Sequence, residues 1–177
     1  MSGERRGAPF AGWWAESLCD RESARAKALR ARMRRAINDV EVLAEPEVQR
    51  LARRLGLATQ QRWRVHAFCT AVRALAHVEH DSPGRAGSAA SRFGAKAGEN
   101  RRVLSALRFQ RIVRAARASD AGSGIIRALP LIGRKCDVAQ IGADLFYWSE
   151  PVRSRWCFEY FEQITASLQM NEERVSA

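Results

Sequence analysis

Residues 101–118 read RRVLSALRFQRIVRAARA, and the spacing of their apolar residues decides the fold class. Val103, Leu107, Phe109, Ile112, Val113 and Ala116 recur at helical intervals, and Arg101, Arg102, Arg108, Arg111, Arg114 and Arg117 occupy positions between them. An apolar stripe of this period marks an amphipathic helix with one face turned to a core. Amphipathicity explains why the other face is polar. It does not explain why that face is arginine without a single acid. Exposed helices ordinarily intersperse acids that pair with bases one turn away, and like charges at i,i+3 or i,i+4 cost roughly a few tenths of a kcal/mol each. The segment is therefore read as a helix whose outer face is built to meet negative charge.

The same period continues in both directions. Trp13, Trp14 and Leu18 predict a first helix beginning near residues 10–12, with at least one of the adjacent tryptophans exposed as a partner contact. In ESARAKALRARMRRAI (22–37), Ala26, Leu29, Met33 and Ile37 form one stripe among five arginines. Pro46 suits a first helical turn and Gly56 a stop, with Val48, Leu51, Ala52 and Leu55 facing inward. Thr59 reads as the N-cap of a helix whose stripe is Trp63, Ala67, Ala71 and Leu75. HDSPGRAGSAASRFGAKAG (80–98) breaks the period with Gly, Ser and Ala and reads as a loop or linker.

Beyond the arginine helix, SDAGSGIIRALPLIG (119–133) predicts a short helix capped by Ser119 or Asp120, disturbed by Pro130 and ended by Gly133. Asp137 with Gln140 resembles a capping box, and Val138, Ile141, Leu145 and Trp148 form the next stripe. Pro151 opens a last helix with Val152, Trp156, Tyr160 or Phe161, Ile164 and Leu168 facing inward. The expectation is an all-α protein of about eight helices, in two small bundles packed together on a shared core. The N-terminal half covers residues 1–79, a flexible basic linker 80–98, the C-terminal half 99–170, and a frayed tail 171–177.

The net charge of +11 is carried by 27 arginines and three lysines against 19 acids. A GC-rich coding bias would favour arginine over lysine, but would not place the surplus. Residues 21–64 carry twelve basic residues against five acids, 85–117 nine against one, and 137–177 three against seven. Patchy positive potential favours polyanions, nucleic acid foremost.

No P-loop, GxGxxG or HExxH motif is present, and the acids lie away from the basic stretches, unlike the convergent carboxylates of a metal-dependent nuclease. Asp137 and Asp144 are read as a cap and a surface acid, Trp148 and Trp156 as core anchors. The cysteines at 19, 69, 136 and 157 form no CxxC pair and read as buried free thiols. His66, Cys69, His77 and His80 match no standard zinc spacing, so neither metal nor cofactor is expected. No apolar run approaches a membrane span and the N-terminus lacks a signal-type apolar region, which predicts a cytoplasmic protein.

The order of these segments resembles the CasB family, the small subunit of the type I-E CRISPR Cascade surveillance complex, from about Trp13 to Leu168. LRFQRIVRA (107–115) looks like the family's arginine–phenylalanine segment, and CDVAQIGADLFYW (136–148) like its Asp-Trp-containing one. MRRAI (33–37), Pro46 and QRLARRLGL (49–57) recur in the family's order. Two departures stand out: Val138 where the family commonly has tryptophan, and SRFGAKAG (91–98) for its Ser-x-Gly-Arg linker, which leaves open whether Arg92 or Lys96 takes the basic role. The resemblance implies a non-enzymatic helical subunit, paired head-to-tail with a second copy beside the large subunit and the backbone filament carrying guide RNA. It implies contact with target and displaced non-target DNA, through Arg34, Arg35, Lys96, Arg108, Arg111 and Arg114, with Arg50 and Arg53 as further candidates. Two other readings stay open: an assembly module whose arginines face protein or guide RNA, and a stand-alone helical nucleic-acid-binding protein.

Overall fold

A computed structural model describes the backbone of residues 3–57, 61–98 and 101–175, and within those ranges the side chains of residues 6–162. The fold is all-α. Four helices open the chain: α1 (Gly3–Ser17), α2 (Ala24–Arg35), α3 (Asp39–Leu43) and α4 (Pro46–Arg54). They are followed by α5 (Arg62–Leu75), α6 (Ala89–Gly94), α7 (Ala106–Arg114), α8 (Ala118–Ala128), α9 (Val138–Phe146) and α10 (Glu150–Val175). Two two-residue strands, β1 (His80–Asp81) and β2 (Lys135–Cys136), pair in parallel with His80 opposite Lys135. Among the described residues no helix is long and apolar enough to cross a membrane.

Local signals start and stop several of these elements as their residue types dictate. Ser23 caps α2 by accepting from the Ala26 amide, and Pro46 sits in the first turn of α4, where its missing N–H is no loss. Asp137 caps α9 by accepting from the Gln140 amide. Gly56 and Gly133 adopt positive φ (59° and 62°), the conformation that ends a helical run. Thr59, Glu99 and the side chains of Ile164 and Leu168 lie outside the described residues.

Other expectations give way to packing. α1 begins at Gly3, well ahead of the expected start, because its first half lies against α9. A Cβ at Gly7 would run into the carbonyl oxygen of Ala139, and one at Gly142 would lie 2.6 Å from the Phe10 ring. Both tryptophans of α1 are buried, Trp13 donating its indole N–H to the Glu47 carbonyl at 2.9 Å, so neither offers a partner contact. Ile37 falls past the end of α2 and is 84% exposed; Trp63, expected on the inner stripe of α5, is 69% exposed. Cys19, expected as a buried thiol, is exposed. α8 starts at Ala118 with Arg117 at its cap position, and Asp120 pairs with Arg117 instead of capping.

The stretch 80–98 is not an open linker. β1 joins β2, Asp81 accepts from the Val138 amide at 3.0 Å, and Asp137 accepts from the Gly84 amide at 2.8 Å. α6 then sinks Ala90 and Phe93 into the interior against α10. These ties close the long sequence gap between the halves, and one continuous core runs from Phe10 and Trp13 through Phe68 and Phe93 to Phe146, Trp156 and Tyr160.

The α1–α9 contact exists only because both helices lack a side chain where they touch. Alanine is a better helix former than glycine by up to about 1 kcal/mol, yet Gly7→Ala and Gly142→Ala should each destabilise by about 1–3 kcal/mol because the contact is already full. Urea denaturation followed by circular dichroism checks the sign, which helix propensity alone would reverse.

Candidate nucleic-acid interface

Arginine is abundant in both basic stretches, but the chain treats the two differently. In the first, Arg25 and Arg50 reach Glu47, Arg32 pairs with Glu45, and Arg54 with Glu16 at 2.8 Å. Arg21 reaches Glu79 at 2.7 Å, with Arg34 and Arg134 on the same carboxylate at 3.8 and 3.7 Å. Much of that positive charge is answered internally. In the second stretch, Arg108, Arg111 and Arg114 form no ion pair among the described residues.

The orientation of those three follows from what α7 buries. Phe109 and Ile112 enter the core, Phe109 stacking on Tyr160 with ring centroids 3.8 Å apart and planes 8° from parallel. Residues 108, 111 and 114 are then forced outward. Gly124 lets α8 close on α7, since a Cβ there would lie 2.8 Å from Ile112 Cγ1. Between the two helices runs a cleft of about 540 Å³ lined by Arg108, Arg111 and Arg127, by the apolar Leu104, Ile112 and Leu131, and by one acid, Asp120.

Arg127 was absent from the sequence-derived candidates. It is an isolated base in an apolar segment, and only the α7–α8 contact brings it to Arg108 and Arg111. Its position at i+3 from Gly124, on the side of α8 that meets α7, was the available signal.

Two further clefts contain basic residues. The opposite flank of α8, through Ser119, Ser123 and Ile126, lines a cleft of about 510 Å³ with Arg34 and Arg73. Leu131 is shared with a third cleft that contains Arg92. The tertiary structure thus brings Arg92 and the Arg108–Arg111 pair to clefts that share Leu131, and Arg34 to the cleft on the other flank of α8, while Arg114 lines none of the three. Arg34 is held firmly, its Nε donating to the Ala76 carbonyl at 2.8 Å. Arg92 has one terminal nitrogen 3.4 Å from the Ile132 carbonyl and a buried Nε with no partner among the described residues. Lys96 is exposed, bridging in antiparallel fashion to Arg102, and Arg35 is exposed at the end of α2. Arg50 and Arg53 stand apart on α4, which packs on α1 and α3, with Arg53 bonded to the Gln49 carbonyl.

Titration responds to this clustering. Burial, with Arg34 and Arg134 close by, pushes His77 down to about 4. Desolvation and the Arg134 charge likewise lower the Arg34 guanidinium from its ordinary value. Asp144, expected as a surface acid, is buried. Desolvation lifts it to about 6, opposed by its ion pair with Arg155 and a 2.6 Å hydrogen bond from the Trp156 indole. It is a tie between α9 and α10. Among the described residues no group of three or more His, Cys, Asp or Glu is placed to hold a metal. His66 instead meets Asp39 at 2.7 Å, and burial pushes the Cys69 thiol up to about 12.

The architecture defines a class: a small all-helical protein with guanidinium groups lining several surface clefts. Comparison with known proteins then places it. The sequence matches the family of CRISPR-associated protein Cse2 over residues 29–161, and the chain belongs to that family, the CasB family of the sequence resemblance. A chain in a crystal structure of E. coli Cascade bound to a PAM-containing dsDNA target has the same fold, with a TM-score of 0.58 and 17% identity over 90% of this chain and 95% of that one. No curated protein matches the sequence.

Because His77 is depressed in the folded state, the unfolded chain takes up its proton first. The His77 contribution to stability should be constant above pH 6.5, fall as pH drops toward 4, and be constant again below. After solvent screening the loss is on the order of 1–2 kcal/mol. Chemical denaturation across this range, repeated on His77→Gln, should show that part of the slope removed, and proton NMR should place the His77 midpoint near 4.

Proposed function

We propose that this Cse2-family chain serves as the non-catalytic small subunit of a type I-E Cascade surveillance complex. In that role it stabilises the opened R-loop by holding target and displaced non-target strands on the arginine clefts around α8. The observation that carries this reading is the set of α7 arginines, Arg108, Arg111 and Arg114, outward-facing and without a carboxylate partner among the described residues. Arg127 beside them, and Arg34, Arg92 and Lys96 around them, extend the positive surface along a strand's path.

The physics is that of small, fixed contributions to a balanced exchange. Replacing a DNA duplex by an RNA–DNA hybrid is close to neutral in free energy, so modest backbone contacts tip it. Arginine suits the work because its planar fork grips phosphate bidentately and keeps its charge. Phosphates carry no sequence information, so binding through them is nearly blind to sequence. No bond needs to be made or broken by this subunit.

A second reading, that the chain is chiefly an assembly module, draws support from apolar residues outside the clefts: Ile37 and Val40 at the α2–α3 junction, and Phe158, 71% exposed, with Phe161 on α10. Such surfaces suit protein neighbours, here a second copy packed head-to-tail, the large subunit and the backbone subunits carrying guide RNA. Both roles are compatible with one molecule. Neither needs a cofactor.

Replacing Arg108, Arg111 and Arg114 together with alanine should shorten R-loop lifetime in assembled complex. It should also lower the slope of log affinity against log salt by about 2, at about 0.7 per lost single-strand phosphate contact. A triple variant that assembles and opens target DNA as wild type does, with an unchanged salt slope, rules out the proposed role for these arginines. Crosslinking assembled complex to each strand separates the two readings, since an assembly module would crosslink to protein or guide RNA alone.

A further inference from the structure

The cleft between α7 and α8 is a poor design for phosphate alone. Its lining combines Arg108, Arg111 and Arg127 with the apolar Leu104, Ile112 and Leu131, the last 46% exposed. It also contains a carboxylate, Asp120, which would repel a phosphate. Arg117 occupies one oxygen of that carboxylate, Nε to Oδ2 at 3.1 Å, and the other has no hydrogen-bond partner among the described residues. At about 540 Å³ the space lies in the ~300–1,000 Å³ range of sites that enclose a small organic ligand, well beyond what one phosphate needs.

We infer that this cleft holds one unpaired base of a single strand, with its phosphates on the arginines, its face on Leu131 and its edge toward the free oxygen of Asp120. The inference rests on the reading that this surface meets nucleic acid, and adds which part of the polymer enters. A duplex keeps its bases stacked inward and offers such a surface only backbone. An unpaired nucleotide offers all three chemistries at once: an anion, a flat apolar face for leucine and guanidinium planes, and an edge with hydrogen-bond donors. A carboxylate accepts well from the exocyclic amine of cytosine or adenine. Thymine's edge donor is flanked by two carbonyl oxygens that a carboxylate repels. The site therefore favours cytosine and adenine over thymine, a modest sequence preference in an otherwise sequence-blind surface.

The test uses the full chain and three fluorescein-labelled single strands of equal length: oligo(dC), oligo(dT), and an oligomer of abasic sugars throughout. Fluorescence anisotropy across a salt series should rank oligo(dC) about fivefold tighter than oligo(dT), with the abasic strand weakest. Asp120→Ala should bring the dC-to-dT ratio to about one. That change removes a negative charge, so it should not weaken binding of all strands alike. Leu131→Ser should weaken both base-bearing strands and leave the abasic strand unchanged. Both residues are exposed, and circular dichroism verifies that each variant folds. Equal binding of all three strands, with dependence on Arg108 and Arg111 intact, overturns the base site and leaves the strand-binding role standing. A dC preference that survives Asp120→Ala overturns the part given to Asp120. Absence of salt-sensitive binding to any strand overturns the base site, and together with an unchanged R-loop lifetime in assembled complex carrying the Arg108, Arg111 and Arg114 triple variant it overturns the underlying reading as well.

Discussion

The stack of Phe109 on Tyr160 governs the outer surface of this protein. α7 is short, and its register against the body is set by the two residues it buries, Phe109 and Ile112. Burying a phenylalanine of this kind contributes about 2–3 kcal/mol. Rotating α7 about its axis would forfeit that burial and drive guanidinium groups into the core, where an unpaired charge is far more costly than the burial is favourable. The outward direction of Arg108, Arg111 and Arg114 is thus a consequence of core packing. α10 supplies Tyr160, whose hydroxyl donates to the Leu104 carbonyl and holds the segment entering α7. Arg102 lies over the same Tyr160 ring at 4.6 Å and donates to the carbonyls of Gly94 and Tyr160, so even this arginine of the basic stretch is spent on structure.

The contrast between the two basic stretches is the structural feature with the most functional weight. By composition they look alike. In space, carboxylates gather Arg21, Arg25, Arg32 and Arg54 of the first stretch into ion pairs, and those of Arg25, Arg32 and Arg54 tie α4 to α2 and α1. Around α8 the balance differs. Asp120 is the one acid among the residues lining the α7–α8 cleft, and Arg117 already claims half of it. Arg108, Arg111 and Arg127 thus share one cleft with apolar residues and with no ion pair of their own among the described residues.

Much of the helical framework was legible because helices are written locally. Ala26, Leu29 and Met33, Val48 and Leu51, Val138 and Ile141, and Trp156 and Tyr160 recur at the period of the structure they form, and each is buried. Caps at Ser23 and Asp137 act within three residues of themselves. Where the reading went astray, the deciding partner was distant in sequence. The glycine- and serine-rich stretch 80–98 resembles a linker because small residues are what flexible chains use. Here small residues serve close approach, with Gly87 against the Ser82 carbonyl and Gly94 against that of Tyr160. Trp63 and Ile37 carried the right period but lay at a helix edge or just past a helix end, where no neighbouring element covers them.

The sequence by itself determined that the chain is helical, that it carries a large uncompensated positive charge, and that α7 has an arginine face, because hydrophobic period and net charge are sums over neighbouring residues. Which arginines remain available was decided only by the tertiary structure. An ion pair depends on distance in space, and Glu79, fifty-eight residues after Arg21 and fifty-five before Arg134, is close to both only once the chain has folded. Arg127 belongs to the same class of fact: alone in an apolar segment it signals nothing, and beside Arg108 and Arg111 it lines one cleft.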